Sequence, residues 1–73
     1  MKVYVLIDAS GEDIDDFIVG VYGDKKSAKK AIRDHMYNHY NMFDEEELLE
    51  VVEAIMHNDY ENIFCEEREV QSI

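Results

Sequence analysis

Apolar residues fall along this chain in two rhythms, and the switches between them mark its elements. Val3, Tyr4, Val5, Leu6 and Ile7 form an unbroken β-branched, aromatic and aliphatic run, which predicts a strand from Lys2 to Asp8. Ser10 and Gly11 then sit among acids in a segment, Ala9 to Asp13, with the chemistry of a turn. Ile14 to Tyr22 predicts a second strand. Strict alternation would put Phe17, Val19 and Val21 on one face and Ile18, Gly20 and Tyr22 on the other.

The period then changes to that of a helix. Asp24 is a suitable N-cap, and Ala28, Ala31, Ile32, His35 or Met36, and His39 recur at helical spacing from Lys25 to about His39. Tyr40 to Phe43 reads as a connector. Asp44 caps a second helix, with Glu47 at its third position as in a capping box, and Leu48, Val51, Val52 and Ile55 form its apolar stripe. Asn58 is its predicted stop, because asparagine tolerates the left-handed conformation that ends helices. From about Asn62 to Ser72 the period returns to two, with Ile63, Cys65, Glu67 and Glu69 on one face and Phe64, Glu66, Arg68 and Val70 on the other. The expected fold is α+β in the order ββααβ: a three-stranded antiparallel-type sheet carrying two helices. It forms one domain over 1-73, with the most continuously apolar strand, the first, at the centre.

One helical layer covers one sheet face, yet the first two strands are apolar at both parities. Alternation assigns Tyr4, Leu6, Ile18 and Tyr22 to the uncovered face. Either the second helix wraps round to it or a second copy of the chain closes it, so a homodimer is expected.

Length and composition narrow the functional classes. A chain of 73 residues buries only about 60% of its unfolded surface, which leaves little room for an enclosing catalytic pocket. The eight aromatic residues mark a folding chain despite a charged fraction of 34%. Cys65 is the single cysteine, so neither an intramolecular disulfide nor a four-cysteine zinc site can form. The opening apolar run is too short for a signal-peptide core and no run approaches a membrane span, so a cytoplasmic protein is expected.

The formal net charge of −11 opposes direct binding to nucleic acid and to anionic membranes, and favours a protein partner with a basic surface. The charges are also segregated. Lys25, Lys26, Lys29, Lys30 and Arg33 cluster in the first helix, where those nearest its N-terminus oppose the helix dipole. Asp44, Glu45, Glu46, Glu47, Glu50, Glu53, Asp59, Glu61, Glu66, Glu67 and Glu69 follow, against Arg68 alone. The basic cluster reads as a solvated helix face or as a patch for acidic groups, including those of a neighbouring copy. The acids either cap and solubilise, or present carboxylates spaced like phosphates, since helical positions three or four apart stand about 5–6 Å apart at Cβ. On the second reading the partner-binding face comprises Asp44, Glu45, Glu46, Glu50, Glu53, Asp59, Glu61, Glu66, Glu67 and Glu69.

Catalytic chemistry finds little support. His35 and His39 have the i, i+4 spacing of two helical metal ligands, but the glutamate of a zinc protease is missing beside the first, and partly buried helix-edge histidines fit as well. Cys65, beside Phe64, reads as a small buried hydrophobe with no base at hand. The acidic segment from Asp8 to Asp16 departs from the calcium-loop pattern, with Gly11 too early and no glutamate at the twelfth position. No cofactor and no enzymatic activity are expected.

The run from Phe17 through Gly20-Val21-Tyr22-Gly23-Asp24-Lys25 to Ala31-Ile32 resembles the strand-to-helix junction of small uncharacterised bacteriophage and prophage proteins. Their opening strand is matched here by Val3-Tyr4-Val5-Leu6, and their closing strand by Phe64-Cys65-Glu66-Glu67-Arg68-Glu69-Val70. The Lys-rich first helical turn and the helix from Asp44 to Asn58 depart from that pattern. At the level of class, phage proteins of this size and acidity resemble anti-CRISPR and anti-restriction inhibitors, which bind a host protein stoichiometrically, often at its nucleic-acid site. The resemblance therefore implies a non-enzymatic phage accessory protein that inhibits or modulates a host protein by acidic mimicry of nucleic acid. A structural homo-oligomer is the alternative, and a metal-binding regulator using His35 and His39 the third.

Overall fold

The central strand of the sheet is the first one, flanked on both sides by antiparallel partners. The computed structural model describes residues 1–9 and 17–70. It contains β1 (Lys2–Asp8), β2 (Phe17–Tyr22), α1 (Lys25–Tyr40), α2 (Glu45–Met56) and β3 (Ile63–Glu69), with sheet order β2-β1-β3. The ββααβ α+β fold is thus present, with β2 pairing along one edge of β1 and β3, which follows both helices, along the other. The part of the predicted second strand before Phe17, and the end of the third beyond Val70, lie outside the described residues.

The helices begin and end for local reasons. Asp24 Oδ1 accepts the Ser27 N–H at 2.8 Å, and Asp44 Oδ1 accepts those of Glu46 and Glu47 at 2.9 and 3.1 Å. α1 runs to Tyr40, one residue past the predicted end, and stops where Asn41 turns left-handed at φ 53°. α2 closes with Asn58 at φ 59°, where the N–H groups of Asn58 and Asp59 donate back to the carbonyls of Ile55 and Ala54. That pair of bonds is a Schellman closure, which satisfies carbonyls that have no partner within the helix.

Both helices lie on one side of the sheet. Ala28, Ile32 and Met36 from α1 and Leu48, Val52 and Ile55 from α2 meet Tyr4, Leu6, Ile63 and Cys65 in a single buried cluster. Each fully buried aliphatic side chain contributes about 1.5–3 kcal/mol relative to exposure, which is how a sheet this narrow holds two helices.

The register overturns the faces expected from strict alternation. Opposed residues of an antiparallel ladder share a face, and β1 pairs Tyr4 with Tyr22 and Glu67, and Leu6 with Gly20 and Cys65. Tyr4, Leu6 and Tyr22 therefore belong to the side that the helices cover, and only Ile18 of the expected foursome is on the open side. A β-bulge explains the discrepancy in β2. Leu6 opposes Gly20 while Ile7 opposes Ile18, leaving Val19 as the extra residue. Ile18 and Val21, three apart, consequently share a face, and Val19 packs against the core.

Candidate protein-binding surfaces

The charge clusters that are separate in sequence meet in space. Lys29 Nζ lies 3.1 Å from Glu53 Oε1, and Arg33 pairs with Glu45. The earlier base pairs with the later acid, so the two helices are antiparallel, and the cations of α1 follow the acids of α2. This accounts for Lys29 and Arg33 without an external ligand. Lys25 and Lys29 also line a recess of about 280 Å³ with Glu53, His57, Cys65 and Glu67.

The ten acids proposed as one binding face divide into different environments. Asp44 is spent on its helix cap. Glu45 and Glu53 face α1's cations; Glu67 meets Lys2 at 3.0 Å, and Glu69 meets the terminal amine at 3.2 Å. The Glu67 carboxylate raises the Lys2 pKa above its ordinary value, first by hydrogen bonding and then by its charge. Strand alternation sends Glu66 to the open side of the sheet, away from α2, where Arg68 Nε reaches it at 2.9 Å. Glu46, Glu50, Asp59 and Glu61 form no ion pair among the described residues.

Glu46 and Glu50, one turn apart, stand on the outward stripe of α2, opposite the buried Leu48, Val52 and Ile55, and Leu49 lies on the flank that also carries Glu45 and Glu53. Leu49 is 64% exposed, and Phe43, just before the helix, is 60% exposed. The Phe43 ring stands edge-on to Tyr37 with centroids 4.8 Å apart. Leu49 is off the apolar stripe of Leu48, Val52 and Ile55 by helical spacing, which is the signal in the sequence for its exposure.

A second set of residues lies on the side of the sheet away from the helices. Val3, Val5 and Ile7 from β1, Ile18 and Val21 from β2, and Phe64 from β3 share it with Glu66 and Arg68. Val5 and Ile7 are buried, whereas Ile18 and Val21 are 59% and 58% exposed. The charges of β3 fall at both of its parities, so its pairing with β1, whose Tyr4 and Leu6 pack under the helices, is what assigns Glu66 and Arg68 to this side.

The histidines occupy a different neighbourhood. His35 and His39 do share a face of α1, with ring centroids 4.7 Å apart. Buried His35 directs Nε2 to Asp8 Oδ2 at 2.8 Å, and the Tyr40 hydroxyl donates to the same oxygen at 2.7 Å. The arrangement ties the end of β1 to the end of α1. Among the described residues no three His, Cys, Asp or Glu side chains converge as a ligand set. Cys65 is buried beneath the helices, and burial pushes its thiol pKa up, opposite to the shift that makes a nucleophile. No helix among the described residues is long and apolar enough to cross a membrane. Compared with known proteins, the chain matches no family model, no curated protein and no solved structure.

Proposed function

We propose that this protein is a non-enzymatic acidic binding module that engages a basic protein surface through the outward stripe of α2. The observation that carries this reading is the stripe itself. Glu46 and Glu50, one turn apart, form no ion pair among the described residues, while α1's cations are drawn to Glu45 and Glu53, and Leu49, 64% exposed, lies on the flank between the two pairs of acids. Leucine supplies apolar burial worth up to about 1.5–3 kcal/mol, and the carboxylates supply steering and orientation. Glu46 and Glu50, about 5–6 Å apart at Cβ, stand at a separation of the order found between successive phosphates. The partner that fits is a nucleic-acid-binding protein of the host cell, inhibited because its basic groove is occupied. The resemblance of the strand-to-helix junction to phage accessory proteins motivates that setting.

The test is a capture experiment from nuclease-treated bacterial lysate, comparing the native chain with Glu46→Lys/Glu50→Lys and with Leu49→Ala. The expected result is one stoichiometric partner, released as salt is raised and lost with either variant. A partner that both variants retain would overturn the assignment of this surface.

A further inference from the structure

We propose that the last turns of α1 take an arginine side chain of the basic partner, held between the Asp34 carboxylate and the ring of Tyr37, with Phe43 beside it. The proposal rests on the reading of this protein as a module for a basic surface, and it names the side chain of that surface which the molecule best accommodates.

Arg33, Asp34 and Tyr37 line a recess of about 170 Å³ on α1. Arg33 is already held by Glu45 across the seam between the helices. The Asp34 carboxylate, by contrast, forms no ion pair and no hydrogen bond among the described residues. Asp34 and Tyr37 are three apart on the helix, so their Cβ atoms stand about 5–6 Å apart and one ligand group can reach both. Tyr37 and Phe43 remain 49% and 60% exposed. Their edge-to-face contact, with centroids 4.8 Å apart, braces the two rings against each other while covering a single ring face. A wet aromatic face, an unpaired acid and a base already neutralised therefore meet at one corner.

That combination selects a guanidinium. A ring face attracts a cation within about 6 Å of its centroid, and a carboxylate accepts two parallel N–H groups from arginine. The guanidinium is planar and weakly hydrated, so it stacks on a ring and donates in its own plane at once. A lysine ammonium is a compact, strongly hydrated point charge without that dual geometry. An acidic side chain would be repelled by Asp34, and an apolar one would strip water from the carboxylate without replacing its hydrogen bonds.

The test is calorimetric titration of the full chain with a short oligolysine peptide and with the same peptide carrying one central arginine. Both should bind, the arginine peptide about two- to five-fold tighter, as an exposed cation–π contact predicts. Tyr37→Leu and Asp34→Asn should each abolish that preference with unchanged circular dichroism, because both side chains are exposed. Glu46→Lys/Glu50→Lys should weaken both peptides alike. Equal affinities of the native chain for the two peptides would overturn the arginine site and leave the basic-partner reading standing. A preference that survives both Tyr37→Leu and Asp34→Asn would overturn it as well. If neither peptide bound, the basic-partner reading would fall and the site with it.

Discussion

His35 Nε2 stands 2.8 Å from Asp8 Oδ2, joining the third turn of α1 to the last residue of the central strand. Tyr40 adds a hydroxyl to the same carboxylate from the final residue of the helix. One carboxylate thus holds α1 at two points about a turn apart, where the sheet ends and apolar packing thins. Replacing His35 with leucine should destabilise the fold by about 1–3 kcal/mol, and Tyr40→Phe by about 0.5–1.5 kcal/mol. Urea denaturation measures both. Because the two groups share an acceptor, the double variant should depart from the sum of the single effects.

Gly20 makes room for the end of the Tyr22 ring. A Cβ placed there would stand 2.6 Å from Tyr22 Cζ, because the Tyr22 ring lies back over the glycine. Gly20→Ala should therefore push the end of the Tyr22 ring aside, at a cost of about 1 kcal/mol, the low end for overpacking. In a Tyr22→Ala background the same change should be neutral or stabilising by about 0.5–1 kcal/mol, since alanine loses less entropy than glycine in a strand. A destabilisation equal in both backgrounds, read from a double-mutant cycle, would remove the steric explanation.

Helix termini offer a third test. Asp44→Ala removes the acceptor of two N–H groups and should lower stability by about 1 kcal/mol. Asn58→Ala forces a Cβ-bearing residue without asparagine's local compensation into φ 59°, and should cost about 1 kcal/mol, whereas Asn58→Gly should be neutral. Thermal denaturation ranks the variants. At the other cap, the backbone N–H of Ser27, followed by its hydroxyl, holds the Asp24 carboxyl below its ordinary pKa. Its stabilising contribution is complete above the ordinary aspartate value and is lost as the pH falls through the lowered folded value. Asp24→Asn should flatten that acid limb.

Cys65 should resist alkylation in the folded chain at neutral pH and react fully after denaturation. Burial raises its pKa, so the folded state holds the thiol proton to higher pH than the unfolded state does. The associated stability is complete below the ordinary thiol value of about 8.5 and is lost as the pH rises through the folded value. Cys65→Ala should remove that alkaline limb, measured as the pH dependence of the denaturation midpoint. Rapid labelling of the native thiol would show that the helices do not shield it.

The local chemistry of the sequence was enough for the element order. Asp24 and Asp44 are caps because short carboxylates satisfy helix N–H groups, and Asn58 is a stop because its side chain tolerates positive φ. The parity of β3 was not legible in the same way, because each face of the predicted strand carries two apolar and two charged positions, Ile63 and Cys65 with Glu67 and Glu69 against Phe64 and Val70 with Glu66 and Arg68. β1's central position followed from its continuous apolar run, which needs partners on both edges.

Tertiary structure decided what periodicity leaves degenerate. Val3 to Ile7 are apolar at every position, so only pairing with β3 and packing of Tyr4 and Leu6 under the helices could say which parity faces inward. The bulge at Val19 broke the alternation that would have put Ile18 and Val21 on opposite faces. Charges obeyed the same logic. In sequence the lysines of α1 and the acids of α2 are separate blocks, and only antiparallel helix packing brought Lys29 to Glu53 and Arg33 to Glu45, leaving Glu46 and Glu50 turned outward. Local propensity acts within a few residues, whereas the choice of face and of ionic partner depends on contacts between segments far apart in the chain.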